Sequence, residues 1–168
     1  QVAGARAYGD AAALCRRLDL RQGLSSALAS LSILGPDYRF LTVVWKPNDA
    51  DALFRMGDEA IAIARQIGWR AGEATALLYR CFTLGPRGRF DEALAAGQAS
   101  LAIATELGHR VWTASVSNAL AMTYLDLHDL ARARQHAERG WQLTAEIGSR
   151  FLINICGGFL GLICVAQG

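Results

Sequence analysis

Apolar side chains recur along most of this 168-residue chain in a pattern that repeats every 40 residues. Ile61, Leu101 and Trp141 hold equivalent positions, and within one unit the apolar residues are spaced like Leu101, Ala104 and Leu107. Side chains at this spacing lie on one face of an α-helix. A fixed period of about 20 to 50 residues is typical of stacked-repeat proteins. The pattern therefore predicts an all-α chain built from repeated helical units.

Each unit holds two helices that are separated by a glycine and an arginine. The glycines are Gly68, Gly108 and Gly148, and the arginines are Arg70, Arg110 and Arg150. A glycine can adopt the left-handed conformation that ends a helix, so the first helix of each unit is expected to stop there. The predicted first helices are 51–67, 90–107 and 130–147, and the predicted second helices are 70–84, 110–126 and 150–166.

The amino-terminal third follows this pattern less closely. Residues 14–31 indicate another helix pair, with Asp19 at the glycine position and Arg21 at the arginine position. Pro47 disfavours continuous helix, so 36–49 is expected to be an extended loop. The chain opens without a methionine, and we expect it to be a fragment of a longer protein. The predicted organisation is a single domain at 1–168, with a divergent first repeat at 1–50 and regular repeats at 51–168.

Composition narrows the function classes. Apolar residues make up 52% of the chain and charged residues 19%, which is typical of a folded domain rather than a disordered one. The net charge is +2 with no block of lysine or arginine, so no direct nucleic-acid contact is expected. The cysteines are Cys15, Cys81, Cys156 and Cys164, without a C-x-x-C pair. We expect them to be small buried apolar residues in a reducing compartment.

No catalytic or ligand-binding motif is present in the sequence. It has no phosphate-binding loop, and His109, His128 and His136 lack the spacing of metal ligands. We therefore expect no enzyme activity, no cofactor and no metal. The apolar stretch 151–166 is shorter than the roughly 20 residues that cross a bilayer. It aligns with 111–126 at the 40-residue offset, so we expect a repeat helix and no membrane contact.

The repeated arginine needs a partner, because a cation near a helix N-terminus opposes the helix dipole. We expect each arginine to bond carbonyl groups or an acid of the adjoining unit, such as Glu73, Glu106 or Glu146. The alternative is a row of arginines along one edge that meets an acidic partner.

Residues 118–140, "NALAMTYLDLHDLARARQHAERG", resemble the tetratricopeptide repeat. Leu120, Ala121 and Tyr124 stand at its large, small and aromatic positions, and Ala133 stands at its next small position. In the preceding unit Arg80 and Cys81 replace the usual leucine and glycine, and the period is 40 rather than about 34 residues.

The resemblance implies a right-handed solenoid of about four antiparallel helix pairs. Stretches such as "ATELGHR" are also similar to the repeat arrays of large bacterial regulators, including LuxR-type and maltose-regulator-like activators. This implies a non-catalytic interaction or signal-sensing module of a cytoplasmic transcriptional regulator, whose partner is a protein, a peptide or a small-molecule effector. The alternative is a regulatory repeat segment of a multidomain cyclase or kinase whose catalytic domain lies outside this chain.

Two candidate surfaces follow. In tetratricopeptide repeats, the helix before the inter-helix turn lines the concave face, and Asn118 and Thr75 are expected to be partly exposed there. The resemblance places Thr75, Leu78, Phe82, Ser115, Asn118, Met122 and Leu125 on that face, followed by Ile155 and Leu162. The last helix has no charged residue at 151–166, so we expect a bare apolar face that a further repeat or a second copy covers. The expected homodimer contacts are Phe151, Ile155, Phe159 and Leu162.

Overall fold

The computed structural model describes residues 2–33 and 50–167. The predicted loop 36–49 lies outside the described residues. The helices are α1 Val2–Arg17, α2 Arg21–Ile33, α3 Ala50–Gln66, α4 Arg70–Leu84, α5 Phe90–Glu106, α6 Arg110–Asp126, α7 Leu130–Ile147 and α8 Arg150–Gln167, with a 3-10 turn at Gly85–Arg87. The predicted all-α repeat is confirmed, and each helix predicted within 51–166 lies within one residue of its observed bounds. The first pair, predicted at 14–31, begins earlier than expected, at Val2. We call α1, α3, α5 and α7 the first helices and α2, α4, α6 and α8 the second helices.

The first helices stop at residues with a left-handed backbone. Gly68, Gly108 and Gly148 have φ values of 67°, 64° and 74°, as the sequence predicts. The amide of His109 then donates to the carbonyl of Ala104 at 2.9 Å, which closes the end of α5. In the first unit Asp19 takes the same conformation without being a glycine, with a φ of 49°. The divergent amino-terminal unit is therefore a genuine helix pair of the same type.

The repeated arginine connects neighbouring units along one edge of the stack. Each arginine begins a second helix and meets a residue in the last turn of the next first helix. The contacts are Arg21 to Gln66 at 2.9 Å, Arg70 to Glu106 at 2.7 Å, and Arg110 to Glu146. We call this series the arginine ladder. The expected structural role is confirmed for Arg70 and Arg110, whose guanidinium groups are ion-paired within the chain.

The helices form two layers that share one core. Each second helix contacts the next one, in the order α2, α4, α6 and α8, and each first helix from α3 onward packs between two second helices. The core includes Leu28, Leu77, Leu120 and Ile163, all at most 5% exposed. The second helices therefore form a continuous layer.

The cysteines are only partly as predicted. Cys81 and Cys156 are buried, Cys15 is half-buried and Cys164 is exposed. The expectation of burial is therefore wrong for Cys164, whose side chain reaches solvent near the end of α8.

Candidate interaction surfaces

Equivalent positions of successive second helices are partly exposed and form one surface. Thr75, Ser115 and Ile155 are 40 residues apart, as are Phe82, Met122 and Leu162, and all six are half-buried or exposed. Since α4, α6 and α8 are neighbours, these positions lie side by side. We call this surface the second-helix face, made of Thr75, Phe82, Ser115, Met122, Leu125, Ile155 and Leu162.

Two hydroxyl groups on the second-helix face are held in the same way. Thr75 Oγ1 donates to the carbonyl of Ala71 at 3.0 Å, and Ser115 Oγ donates to the carbonyl of Val111 at 2.9 Å. Each hydroxyl proton is therefore used within its own helix, while the oxygen can still accept a hydrogen bond. The face offers apolar side chains and hydrogen-bond acceptors, and none of its seven side chains is charged.

Leu78 and Asn118 do not belong to this face, and the expectation that Asn118 is partly exposed is wrong. Leu78 is 5% exposed and Asn118 is 3% exposed. Asn118 lies where α6, α7 and α8 meet, and its Nδ2 donates to Cys156 Sγ on α8. Gly140 on α7 permits this approach, since a Cβ there would lie 2.8 Å from Asn118 Oδ1. Packing by the two following helices buries both positions.

The residues predicted for self-association differ in how exposed they are. Phe159 is 5% exposed and packs inside the chain, so it is not available to a second copy. Ile155 is half-buried, whereas Leu162 is 59% exposed. The side chain of Phe151 lies outside the described residues.

A cleft that the sequence analysis missed lies between α3 and α5, with α4 beneath it. It has a volume of about 440 Å³, and four of the ten residues that line it are alanines, namely Ala62, Ala95, Ala96 and Ala99. Arg80 extends into it from α4, paired with Asp58 on one wall and 3.5 Å from Glu92 on the other. Arg80 is the residue that replaces the usual leucine of the repeat, while Leu120 in the next unit is fully buried. An arginine in place of the usual leucine was the feature of the sequence that could have indicated this cleft.

The charges around the cleft are compensated. Asp58 and Glu92 face Arg80, and Arg65 pairs with Glu73 at 2.7 Å. Hydrogen bonds from Arg89, followed by the charges of Arg89 and Arg80, hold the pKa of Glu92 below its usual value. The cleft therefore carries no strong field for an ion of either sign.

An aromatic cluster joins the end of α6 to α7. The rings of Tyr124 and His136 stack with centroids 5.4 Å apart, and the Arg132 guanidinium lies 4.9 Å from the Tyr124 centroid. Burial, followed by the charge of Arg139, lowers the pKa of His136 below its ordinary value. The buried Nδ1 of His136 has no hydrogen-bond partner among the described residues.

Residues 2–33 and 50–167 contain no group of three or more histidine, cysteine, aspartate or glutamate side chains arranged to hold a metal ion. Within the same residues, no helix has both the length and the apolar character needed to cross a bilayer.

Comparison with known proteins agrees with this geometry. The family model for the tetratricopeptide repeat matches residues 72–142, which run from α4 through most of α7. No curated protein matches the chain. The match and the helix pairs together show a tetratricopeptide-repeat-like module, and such repeats commonly mediate protein–protein interaction.

Proposed function

We propose that this chain is a non-catalytic interaction module that binds a segment of a partner protein on the second-helix face. The observation that carries this proposal is the repetition of partly exposed positions on α4, α6 and α8. A surface built on packed helices is already ordered before a partner arrives, which lowers the entropic cost of binding.

The chemistry of the face defines the kind of segment that it suits. Phe82, Met122 and Leu125 provide apolar contact, and a methionine thioether adapts to side chains of different shape. The oxygens of Thr75 and Ser115 can accept hydrogen bonds from N–H groups. We therefore expect a largely apolar peptide that presents N–H donors.

A peptide-display selection against the purified chain tests this assignment. Ser115→Glu and Met122→Glu place a charge on the second-helix face and should weaken the selected peptides by at least about tenfold. Ala102→Glu and Ala131→Glu are matched controls, because both alanines are exposed on first helices. Peptides that bind all four variants equally well, or a selection that yields no binder, would contradict the proposal.

A small-molecule effector is the second candidate, and the cleft between α3 and α5 is the observation that favours it. Its volume of about 440 Å³ falls in the range of ligand pockets. Replacing Ala96 with leucine would fill part of the cleft and leave the second-helix face unchanged. Loss of effector response in Ala96→Leu, with peptide binding intact, would favour this candidate.

We further propose a cytoplasmic bacterial transcriptional regulator as the setting. The resemblance of "ATELGHR" and its equivalents to regulator repeat arrays supports it, and the cysteine pattern supports a reducing compartment. A regulatory segment of a multidomain cyclase or kinase is the rival setting. The adjoining coding sequence separates them: a P-loop upstream or a helix–turn–helix downstream supports the regulator, and a cyclase or kinase domain supports the rival.

A further inference from the structure

One flank of α8 is exposed, although the equivalents of its first three residues are buried in the other second helices. We call it the free flank of α8, made of Asn154, Gly158, Gly161 and Val165, all exposed. Val165 is 81% exposed. The residues equivalent to Asn154 are Ser25, Ala74 and Ala114, and those equivalent to Gly161 are Ser32, Cys81 and Ala121. All six are at most 4% exposed. In α2, α4 and α6 this flank lies against the first helix that follows.

The three internal contacts of this kind share one crossing point. Ser25 Oγ donates to the carbonyl of Ala60 at 2.9 Å between α2 and α3. Ser100 Oγ donates to the carbonyl of Ala74 at 2.7 Å between α4 and α5. Between α6 and α7 the crossing residue is Gly140, where a Cβ would lie 3.3 Å from the carbonyl oxygen of Ala114. Each first helix therefore crosses with an alanine, serine or glycine, at residues 40 apart.

The arginine ladder fixes the same alignment between each second helix and the first helix that follows it, at the end where the arginine lies. Gln66, Glu106 and Glu146 are 40 residues apart and accept from Arg21, Arg70 and Arg110. Arg150 begins α8 at the next position of the ladder and is exposed. None of the described residues supplies a corresponding acceptor for it.

We propose that the free flank of α8 binds a first helix of a further repeat unit. That helix carries a small residue at the crossing point and a carboxylate or amide in its last turn, which accepts from Arg150. Asn154 stands where Ser25 stands in α2, so its Nδ2 donates to a backbone carbonyl of the incoming helix. Gly158 and Gly161 let the two backbones approach closely.

A second copy of this chain does not meet these requirements. Stacking two copies end to end would place α1 on the free flank. Arg17 stands two residues before Asp19, just as Glu106 stands two residues before Gly108. Arg17 would therefore take the acceptor position and face Arg150. A symmetric pair of α8 helices provides no acid for Arg150.

The test uses three synthetic peptides that contain the first helices of this chain, namely 50–69, 90–109 and 130–149, titrated into the intact protein. We expect at least one to bind. Gly158→Leu should abolish this binding without loss of stability, since nothing lies within 4 Å of a Cβ there. Gly4→Leu is the matched control, because Gly4 on α1 has the same clearance and should leave binding unchanged.

Exchanging the charges of the two partners tests whether the acid in the last turn of the bound helix lies against Arg150. Reversing the acid in the 130–149 peptide with Glu146→Arg should weaken binding about three- to fivefold, and Arg150→Glu in the protein should restore it. No binding by any of the three peptides at millimolar concentration would overturn the proposal, as would binding that Gly158→Leu does not affect. Sedimentation of the protein alone is measured as well. A dimer that Gly158→Leu dissociates would assign the free flank to a second copy and equally overturn the proposal.

Discussion

Left-handed backbone conformations in the described residues occur where helices end. Glycine holds this conformation after α3, α5 and α7, while Asp19 and His128 hold it after α1 and α6. Aspartate and histidine are among the residues that tolerate positive φ best. At this scale a residue is selected by backbone geometry, and its side chain is secondary.

Gly108→Val should lower the free energy of unfolding by about 1 kcal/mol or more, because a β-branched residue resists positive φ. A Cβ at Gly108 would have no atom within 4 Å, so the loss is expected to come from the backbone conformation. Chemical denaturation measures it, with Gly108→Asn as the control that should lose less. An unchanged midpoint for the valine variant would mean that α5 ends for another reason.

The free energy of unfolding should decrease as the pH is lowered, and part of this decrease should depend on His136. Burial lowers the pKa of His136 from its ordinary 6.5, so the unfolded chain binds a proton at a higher pH than the folded chain does. The stabilisation is complete above pH 6.5 and is lost as the pH falls through the lowered folded pKa. Denaturation at pH 7 and at pH 5 should show a smaller pH-dependent loss in His136→Gln than in the wild type. His128→Asn, which removes an exposed histidine, should behave like the wild type in this comparison.

At the scale of the helix, small residues decide how closely neighbours pack. Gly140 on α7 accommodates Asn118, while Ser100 and Ser25 occupy the crossing points of other units and use a hydroxyl for an inter-helix hydrogen bond. The crossing points therefore combine close approach with a hydrogen bond to a backbone carbonyl in two of the three contacts.

Gly140→Ala should destabilise the protein, although alanine favours helix over glycine by roughly 1 kcal/mol. The new Cβ would lie 2.8 Å from Asn118 Oδ1, and such overpacking costs about 1 to 3 kcal/mol. In an Asn118→Ala background the cost of Gly140→Ala should shrink, which a double-mutant cycle by denaturation measures. Gly158→Ala is the control and should stabilise, because its surroundings are open. Additive effects of the first two substitutions would show that they do not touch.

For the molecule as a whole, each unit is supported by its neighbours along the stack. The arginine ladder and the inter-helix crossings join only adjacent units. Stability in such an array is a sum of unit and interface contributions, so a terminal unit opens more easily than a central one.

Thiol labelling of single-cysteine variants measures whether the terminal unit opens more easily than a central one. Cys164 is exposed and should react in the native state. Cys81 is buried in the central unit, where desolvation raises its pKa to about 12, so it should react at least about a thousandfold more slowly, through global unfolding. Cys156 is buried in the terminal helix α8 and should become reactive at a lower denaturant concentration than Cys81. Equal protection of Cys81 and Cys156 would indicate that the four helix pairs unfold as one.

The sequence by itself determined the repeat, the bounds of the regular helices and the acidic partners of Arg70 and Arg110. These features depend on local rules, namely apolar spacing, left-handed glycines and a charge at a helix end, which recur every 40 residues and can be compared within one chain. Even the divergent pair around Asp19 follows them, because its turn geometry is local.

The tertiary structure alone decided which positions of a helix remain accessible. Asn118 is in line with Ser115 and Met122 along α6, yet α7 and α8 close over it. Phe159 faces the core rather than a second copy, and Arg80 opens a cleft where Leu120 fills the core of the next unit. Helical spacing specifies the side of a helix, whereas burial depends on the distance and angle of the helices that pack on that side. Those are set by contacts between residues far apart in the chain.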